Sequence, residues 1–254
     1  MWETRVRDYS VFTKETQRAW PKDRDVTQEQ HDPAVHLSWE DATAFCAWLT
    51  RREQQAGRLG HDEACRLPTD YEWSCAVGIG EQEDATKRPG GKDRKIPALY
   101  PWGMGWPPPP NCGNYWSEEL RTLLRAGKLR WIRGELHGYR DGFPTVSLVG
   151  SYAANRFGLH DLGGNAWAWC DDRIDGVDGK NDRRALRGAS WALSSPDTLL
   201  SSARHQAEPS DRNYNNGFRA ALAAITARVV RQPQAQLRKP PDVKASISKG
   251  TPPP

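Results

Sequence analysis

After Gly78 the regular spacing of apolar side chains disappears. The chain runs on through a charged, glycine- and proline-bearing connection at residues 79–98, then through Pro101-Trp102-Gly103 and Pro107 to Pro110. That loss of period is the strongest constraint on the fold, because a segment without a helical or alternating apolar repeat cannot bury one face of a helix or strand. These stretches are expected as surface excursions. The chain nevertheless holds 12 Trp and 22 Gly within a hydrophobic fraction of only 37%. Large flat rings packed on irregular backbone are the means by which such a chain can still close a core. Short strands are expected only at Thr145 to Val149, Ala185 to Arg187 and Phe218 to Leu222, each bounded by Gly or a polar cluster.

Two helices are legible ahead of the break. Ser38-Trp39-Glu40-Asp41 reads as an N-cap followed by two carboxylates at the positive end of the helix dipole, with Ala42, Phe45, Cys46 and Leu49 at helical spacing and Gly57 as a stop. Thr69-Asp70-Tyr71-Glu72 is a capping box for a shorter helix through Trp73, Ala76 and Val77, and Pro68 prevents earlier entry. Two early helices followed by long loops and brief strands predict an α+β domain.

A chain of 254 residues is expected to form one domain, residues 1–225. Residues 226–254 carry six prolines and few large apolar side chains, and they read as a basic, proline-rich, disordered tail. The formal net charge of +4 belongs there: Arg228, Arg231, Arg238, Lys239, Lys244 and Lys249 face Asp242 alone. The body is close to neutral and offers no electrostatic footprint for nucleic acid. Five cysteines (Cys46, Cys65, Cys75, Cys112, Cys170) form no Cys-x-x-Cys, and Met1 to Arg5 lacks the apolar run of a signal peptide. No stretch approaches a membrane span, so a reduced, cytoplasmic protein without membrane contact is expected.

Six stretches occur in a telling order: "PAVHLSWEDATAFCAWL" (33–49), "CRLPTDYEWSCAVG" (65–78), "YPWG" (100–103), "NRFGLHDLGGNAWAWC" (155–170), "LRGASW" (186–191) and "NGFRAAL" (216–222). Together they resemble the formylglycine-generating-enzyme, or sulfatase-modifying-factor, family. The resemblance implies a variant C-type-lectin-like fold with short helices, a small twisted sheet and long ordered loops. It also includes copper oxidases, domains of sulfoxide synthases, and variable proteins diversified by retroelements, so fold alone does not fix function.

The oxidase members hold Cu(I) with two thiolates, the ligand type that selects this soft ion. In the matching stretch "GASWALSSPDT", Leu193 and Thr198 stand where the resemblance places the cysteines. No copper is therefore expected, and the chain reads as a non-enzyme. Ser190 is retained, but without a positioned base it reads as a turn hydroxyl. The extracellular members' two disulfides are also broken: Cys46 and Cys75 match one half of each pair, with Ala220 and Ser201 at the other halves. Both thiols are expected to be buried and inert.

One calcium ion is expected by resemblance, held by Asn114, the Tyr115 carbonyl, Asp141 and the Phe143 carbonyl, all hard oxygen donors. A second family site would need Asp161, the carbonyls of Gly164 and Ala166, and a Glu at the position of Ala168, so it lacks a charged ligand. The six histidines show no zinc or iron spacing. Asp161 and Asp171-Asp172 read as solvated or hydrogen-bonded, and Trp39, Trp48, Trp73, Trp167 and Trp169 as core.

Between framework residues, the segment 191–215 is small, polar and chemically mixed. The function expected is a non-catalytic module that displays this surface to an unidentified protein or small-molecule ligand, with a retroelement-diversified set and association with a signalling protein as its two candidate settings. Its candidate ligand-contacting residues are Trp191, Leu193, Ser194, Thr198, Arg204, His205, Gln206, Asn213 and Tyr214. Trp191 doubles, with Leu200 and Phe218, as the expected floor of the patch. The alternative is a formylglycine-generating or related redox oxidase with an altered metal site.

Overall fold

Tyr9, Phe12, Trp20, Phe45, Trp48 and Phe218 meet in one aromatic cluster, with Phe45 and Phe218 centroids 5.3 Å apart and Phe12 and Phe45 5.6 Å apart. In this computed structural model, which describes residues 2–21, 26, 28–129, 134–175 and 182–225, these rings join helix α1 (Val6–Thr16) to helix α2 (Trp39–Gln55). The expected tail, 226–254, lies outside the described residues. Helix α2 starts where the sequence predicts. Ser38 Oγ accepts the Asp41 N–H at 3.1 Å, and the Asp41 carboxylate accepts the Ser38 N–H in return. Asp41 is buried and also accepts from Arg18 and Arg212, so one cap holds three segments together.

Strand β1 (Glu63–Arg66) follows, then helix α3 (Asp70–Val77), capped by the reciprocal Thr69–Glu72 bonds and ended by Gly78 at φ 93°. Here the structure departs from expectation. Residues 79–98 are mostly exposed, as a surface excursion would be, but they form a 3₁₀ turn (Gly80–Gln82) and a short helix α4 (Pro89–Lys92), and Ile79, Glu83 and Lys92 are buried as anchors. The reason is an ion network that no local pattern announces. The Arg187 guanidinium, fully buried, donates to Asp70 Oδ1 at 2.7 Å and to the carbonyls of Ser201 and Ala203. Arg204 bridges Asp70 and Glu83, with its shortest bond 2.6 Å to Glu83, and the Lys92 ammonium lies 2.6 Å from Asp70.

A hairpin of β2 (Leu99–Tyr100) and β3 (Gly103–Met104) precedes helix α5 (Glu118–Arg125), whose Ser117 side chain accepts the Leu120 N–H. The central sheet has the order β6-β5-β4-β7, built from β4 (Trp167–Arg173), β5 (Arg184–Arg187), β6 (His205–Ala207) and β7 (Asn216–Gly217). Strand β7 runs parallel to β4; β5 and β6 run antiparallel to their neighbours. Strand β8 (Ala221–Ala224) pairs with β1. The strand expected at Ala185 to Arg187 is β5. That expected at Phe218 to Leu222 begins only at Ala221. Thr145 to Val149 is not a strand, because its main-chain groups bond elsewhere: Ser147 N–H to the Asn165 side chain at 2.9 Å and Val149 N–H to the His31 carbonyl at 3.0 Å. All five cysteines are free. Cys46 is buried as expected, but Cys75 is exposed on α3. Four of the five expected core tryptophans are buried, and Trp39 is half-buried beneath the Arg184 guanidinium.

Burial alone would push the Asp70 carboxyl up, yet the charges of Arg187, Arg204 and Lys92 outweigh it and hold the carboxyl well below the usual range. A depressed folded value means that this contribution is complete above the unfolded carboxylate value of about 3.9 and is lost as pH falls towards the folded one. Asp70→Asn should therefore destabilise the protein by about 3–5 kcal/mol at neutral pH, since it leaves buried cations without their partner. The gap between wild type and variant in denaturant unfolding should narrow as pH falls below about 4. A loss under about 1 kcal/mol at pH 7 would contradict the role given to the network.

Candidate functional site

The stretch from Arg187 to Thr198 leaves β5 as a sharp turn made of unusual backbone. Gly188 has φ 95°, and a Cβ there would lie 2.9 Å from the Trp73 ring and 3.1 Å from the Leu162 carbonyl, so close approach and conformation both require glycine. Ala189, also left-handed at φ 64°, turns the chain inward. Ser190 is fully buried and its Oγ accepts the Asn215 side-chain amide at 2.8 Å. With an amide donor as its partner, this hydroxyl is a structural acceptor and not an activated nucleophile.

Trp191 is 1% exposed, and its main-chain N–H donates to the Asn165 carbonyl. Leu193 stands half-buried against the main core, and its carbonyl accepts the Trp116 N–H at 3.0 Å. Ser194 Oγ accepts the Glu135 N–H at 3.0 Å, which ties the segment after α5 onto this lip. Residues 195–197 are exposed, and Thr198, half-exposed, closes the turn through its hydroxyl to the Ser195 carbonyl at 2.9 Å. From Leu199 the chain is buried again. The two positions where the sequence resemblance places the cysteines of a copper-binding member thus carry a packed leucine and a turn-closing threonine.

The remaining candidates divide. Trp191 and Arg204 are corrected from contact residues to structural ones: the ring is under the lip, and the guanidinium is spent on Asp70 and Glu83. Tyr214 packs edge-on against Trp191 at 5.5 Å, and Asn213 is exposed while its carbonyl accepts the His36 N–H. His205 and Gln206 are both exposed, but consecutive strand residues point to opposite faces. His205 lies against Trp167 at 5.5 Å, yet at this edge strand both His205 and Gln206 line one cleft, together with Asp93, Arg94, Asp175 and Arg204.

The residues of the expected calcium site do come together. The Tyr115 N–H donates to Asp141 Oδ2 at 3.1 Å, Phe143 N–H to Asp141 Oδ1 at 3.0 Å, and the Ser117 hydroxyl to the Phe143 carbonyl at 3.1 Å. Asn114 is fully buried; its amide nitrogen donates to the Thr145 carbonyl and to Asn165, while its Oδ1 has no hydrogen-bond partner among the described residues. Burial pushes the Asp141 carboxyl up to about 6, against the pull of its two N–H donors. An orphaned buried amide oxygen and a desolvated carboxylate are donors of the kind a hard cation takes. The second set does not fit. Ala168 is packed with Trp73 and Cys170, and Arg219 donates to the carbonyls of His160 and Asp161. Glu3, which the sequence reading missed, is buried and accepts from Asn165 and the Ala166 N–H. Among the described residues no three His, Cys, Asp or Glu side chains converge as a metal set.

Comparison with known proteins agrees with this geometry. The bovine protein named inactive C-alpha-formylglycine-generating enzyme 2 is 33% identical over 208 residues, covering 78% of this chain and 53% of the relative. The chain thus spans about half the length of the relatives it matches at that level. PvdO from Pseudomonas aeruginosa superimposes with a TM-score of 0.59 at 20% identity, covering 88% of this chain and 78% of that one. Treponema denticola variable protein 1 does so with a TM-score of 0.53 at 18% identity, covering 87% and 82%. At these identities the two structures speak for the fold alone. The sulfatase-modifying factor enzyme 1-like domain matches residues 3–224, and the chain belongs to that family.

Proposed function

We propose that this protein is a non-catalytic recognition module of the family, built on a lectin-like frame. The observation that carries the reading is the pair Leu193 and Thr198: a hydrocarbon and a neutral hydroxyl at the positions where the oxidases of the family present thiolates. Neither can hold Cu(I). The packing of Leu193 against the core and the closed turn at Thr198 support the same reading, because a site reorganised for another metal would keep its donors free. The ligand face is the accessible part of the segment, namely Leu193, Ser194, Thr198, His205, Gln206, Asn213 and Tyr214. The likeness of frame to a Treponema denticola variable protein supports a surface whose side chains can change while its scaffold stays.

Anaerobic titration against a competing Cu(I) chelator should reveal no stoichiometric complex, and a cysteine-containing sulfatase peptide should remain unoxidised. A tight one-to-one complex would overturn the reading. Stability offers a second contrast. Thr198, His205 and Asn213, replaced together by other polar residues, should each change unfolding free energy by no more than about 0.5 kcal/mol, whereas Phe218→Ala should cost about 3–5 kcal/mol.

Within the same proposal, Asn114, Tyr115, Asp141 and Phe143 hold one calcium ion that ties the segment 113–117 to 141–143. Calcium that binds only the assembled oxygens raises the melting temperature by mass action. Millimolar Ca²⁺ should do so, chelator should reverse it, and Asp141→Ala should abolish the gain. An unchanged melt on chelation removes the assignment.

A further inference from the structure

The two-stranded sheet of β1 and β8 is closed on one side and open on the other. On the β1 side, α2 caps the outward main-chain groups: Cys65 N–H donates to Thr50 Oγ1 at 2.9 Å, the Thr50 hydroxyl reaches the Cys65 carbonyl, and the Gln54 amide donates to the Glu63 carbonyl at 3.0 Å. These bonds also fix which residues face outward. Cys65 and Glu63 face α2, so their opposite numbers on β8, Leu222 and Ala224, are the non-bonded pairs of the antiparallel ladder. The Ile225 N–H bonding the Asp62 carbonyl sets the same phase. The N–H and C=O groups of Leu222 and Ala224 therefore point away from the sheet, and no described residue takes them.

Nothing in the strand protects that edge. From Ala220 to Ile225 there is no charge, no proline and no glycine, although exposed edge strands are ordinarily blunted by such residues. Leu222 is 60% exposed and Ile225 54% exposed at the same edge. The side-chain sizes select the partner. When β8 meets a second β8 antiparallel about a two-fold axis at Ala223, Leu222 of each copy stands opposite Ala224 of the other, and both pairs exchange two main-chain bonds. Large faces small at both pairs, the two Ala223 methyls pass at the axis, and no like charges meet.

We propose that the β8 edge is a self-association surface, through which two copies of this chain form a continuous four-stranded sheet in the order β1-β8-β8-β1. The full chain should sediment with twice the monomer mass as its concentration rises from nanomolar to high micromolar. Leu222→Lys places two charges at the pairing and should weaken the dimer by tenfold or more. Leu222→Pro removes an outward N–H that β1 does not use and should have the same effect; the melting temperature of each monomer should stay at the wild-type value. Should Leu222→Pro lower the melt, Ala224→Pro replaces it as the main-chain probe. A wild type that stays monomeric throughout overturns the proposal, as does a dimer insensitive to both kinds of variant. A dimer lost with Leu222→Lys but kept with the proline variant overturns the strand pairing.

Discussion

The buried contact among Asp70, Arg187, Arg204, Glu83 and Lys92 is the point from which the rest of the architecture takes its positions. Moving five charged groups out of water costs several kcal/mol each before any attraction is counted, so the network persists only because nearly every polar atom finds a partner. Arg187 comes from β5, Arg204 from the start of β6, Asp70 from the first turn of α3, and Glu83 and Lys92 from the segment between α3 and the β2–β3 hairpin. Four separate stretches of the chain are thereby given one mutual arrangement. An apolar cluster of the same volume could be equally stable, but it would tolerate sliding; a bidentate guanidinium does not.

The parts of this structure that depend on neighbours in sequence were open to reading. The capping pairs Ser38–Asp41 and Thr69–Glu72 each span three residues, and their helices begin where those residues stand. The network was closed to it, because Asp70 and Arg204 are separated by 134 positions and each looks like a solvated charge in its own surroundings. The anchors within residues 79–98 were hidden for the same reason: Glu83 and Lys92 sit in a run of charge whose other members do face water. Helix α1 gave no signal because Arg5, at its N-cap, makes no side-chain cap bond.

The altered lip was legible as chemistry and illegible as shape. That Leu193 and Thr198 cannot bind a soft metal follows from their side chains, but the division of the segment between hidden and accessible residues depended on strand phase and on distant partners. Arg204 illustrates this. In sequence it sits between the lip and two exposed polar residues, and in space it is at the bottom of the ion network. His205 and Gln206 are brought to the rim of one cleft with Asp93 and Arg94 by the pairing Leu186↔His205 and Ala185↔Gln206, which no local pattern supplies.

The exposed turn at residues 195–197 is gripped on each side by a bond between main-chain atoms: the Leu193 carbonyl with the Trp116 N–H before it, and the Ser201 N–H with the Leu99 carbonyl after it. Neither grip depends on the identity of a side chain in the turn. Length is then as free as sequence, because adding residues between two fixed posts costs only the entropy of closing a longer loop, about 0.6 kcal/mol for each doubling. The scaffold works there as a socket with a standard fitting, into which a segment of foreign sequence and different size can be spliced without renegotiating the frame.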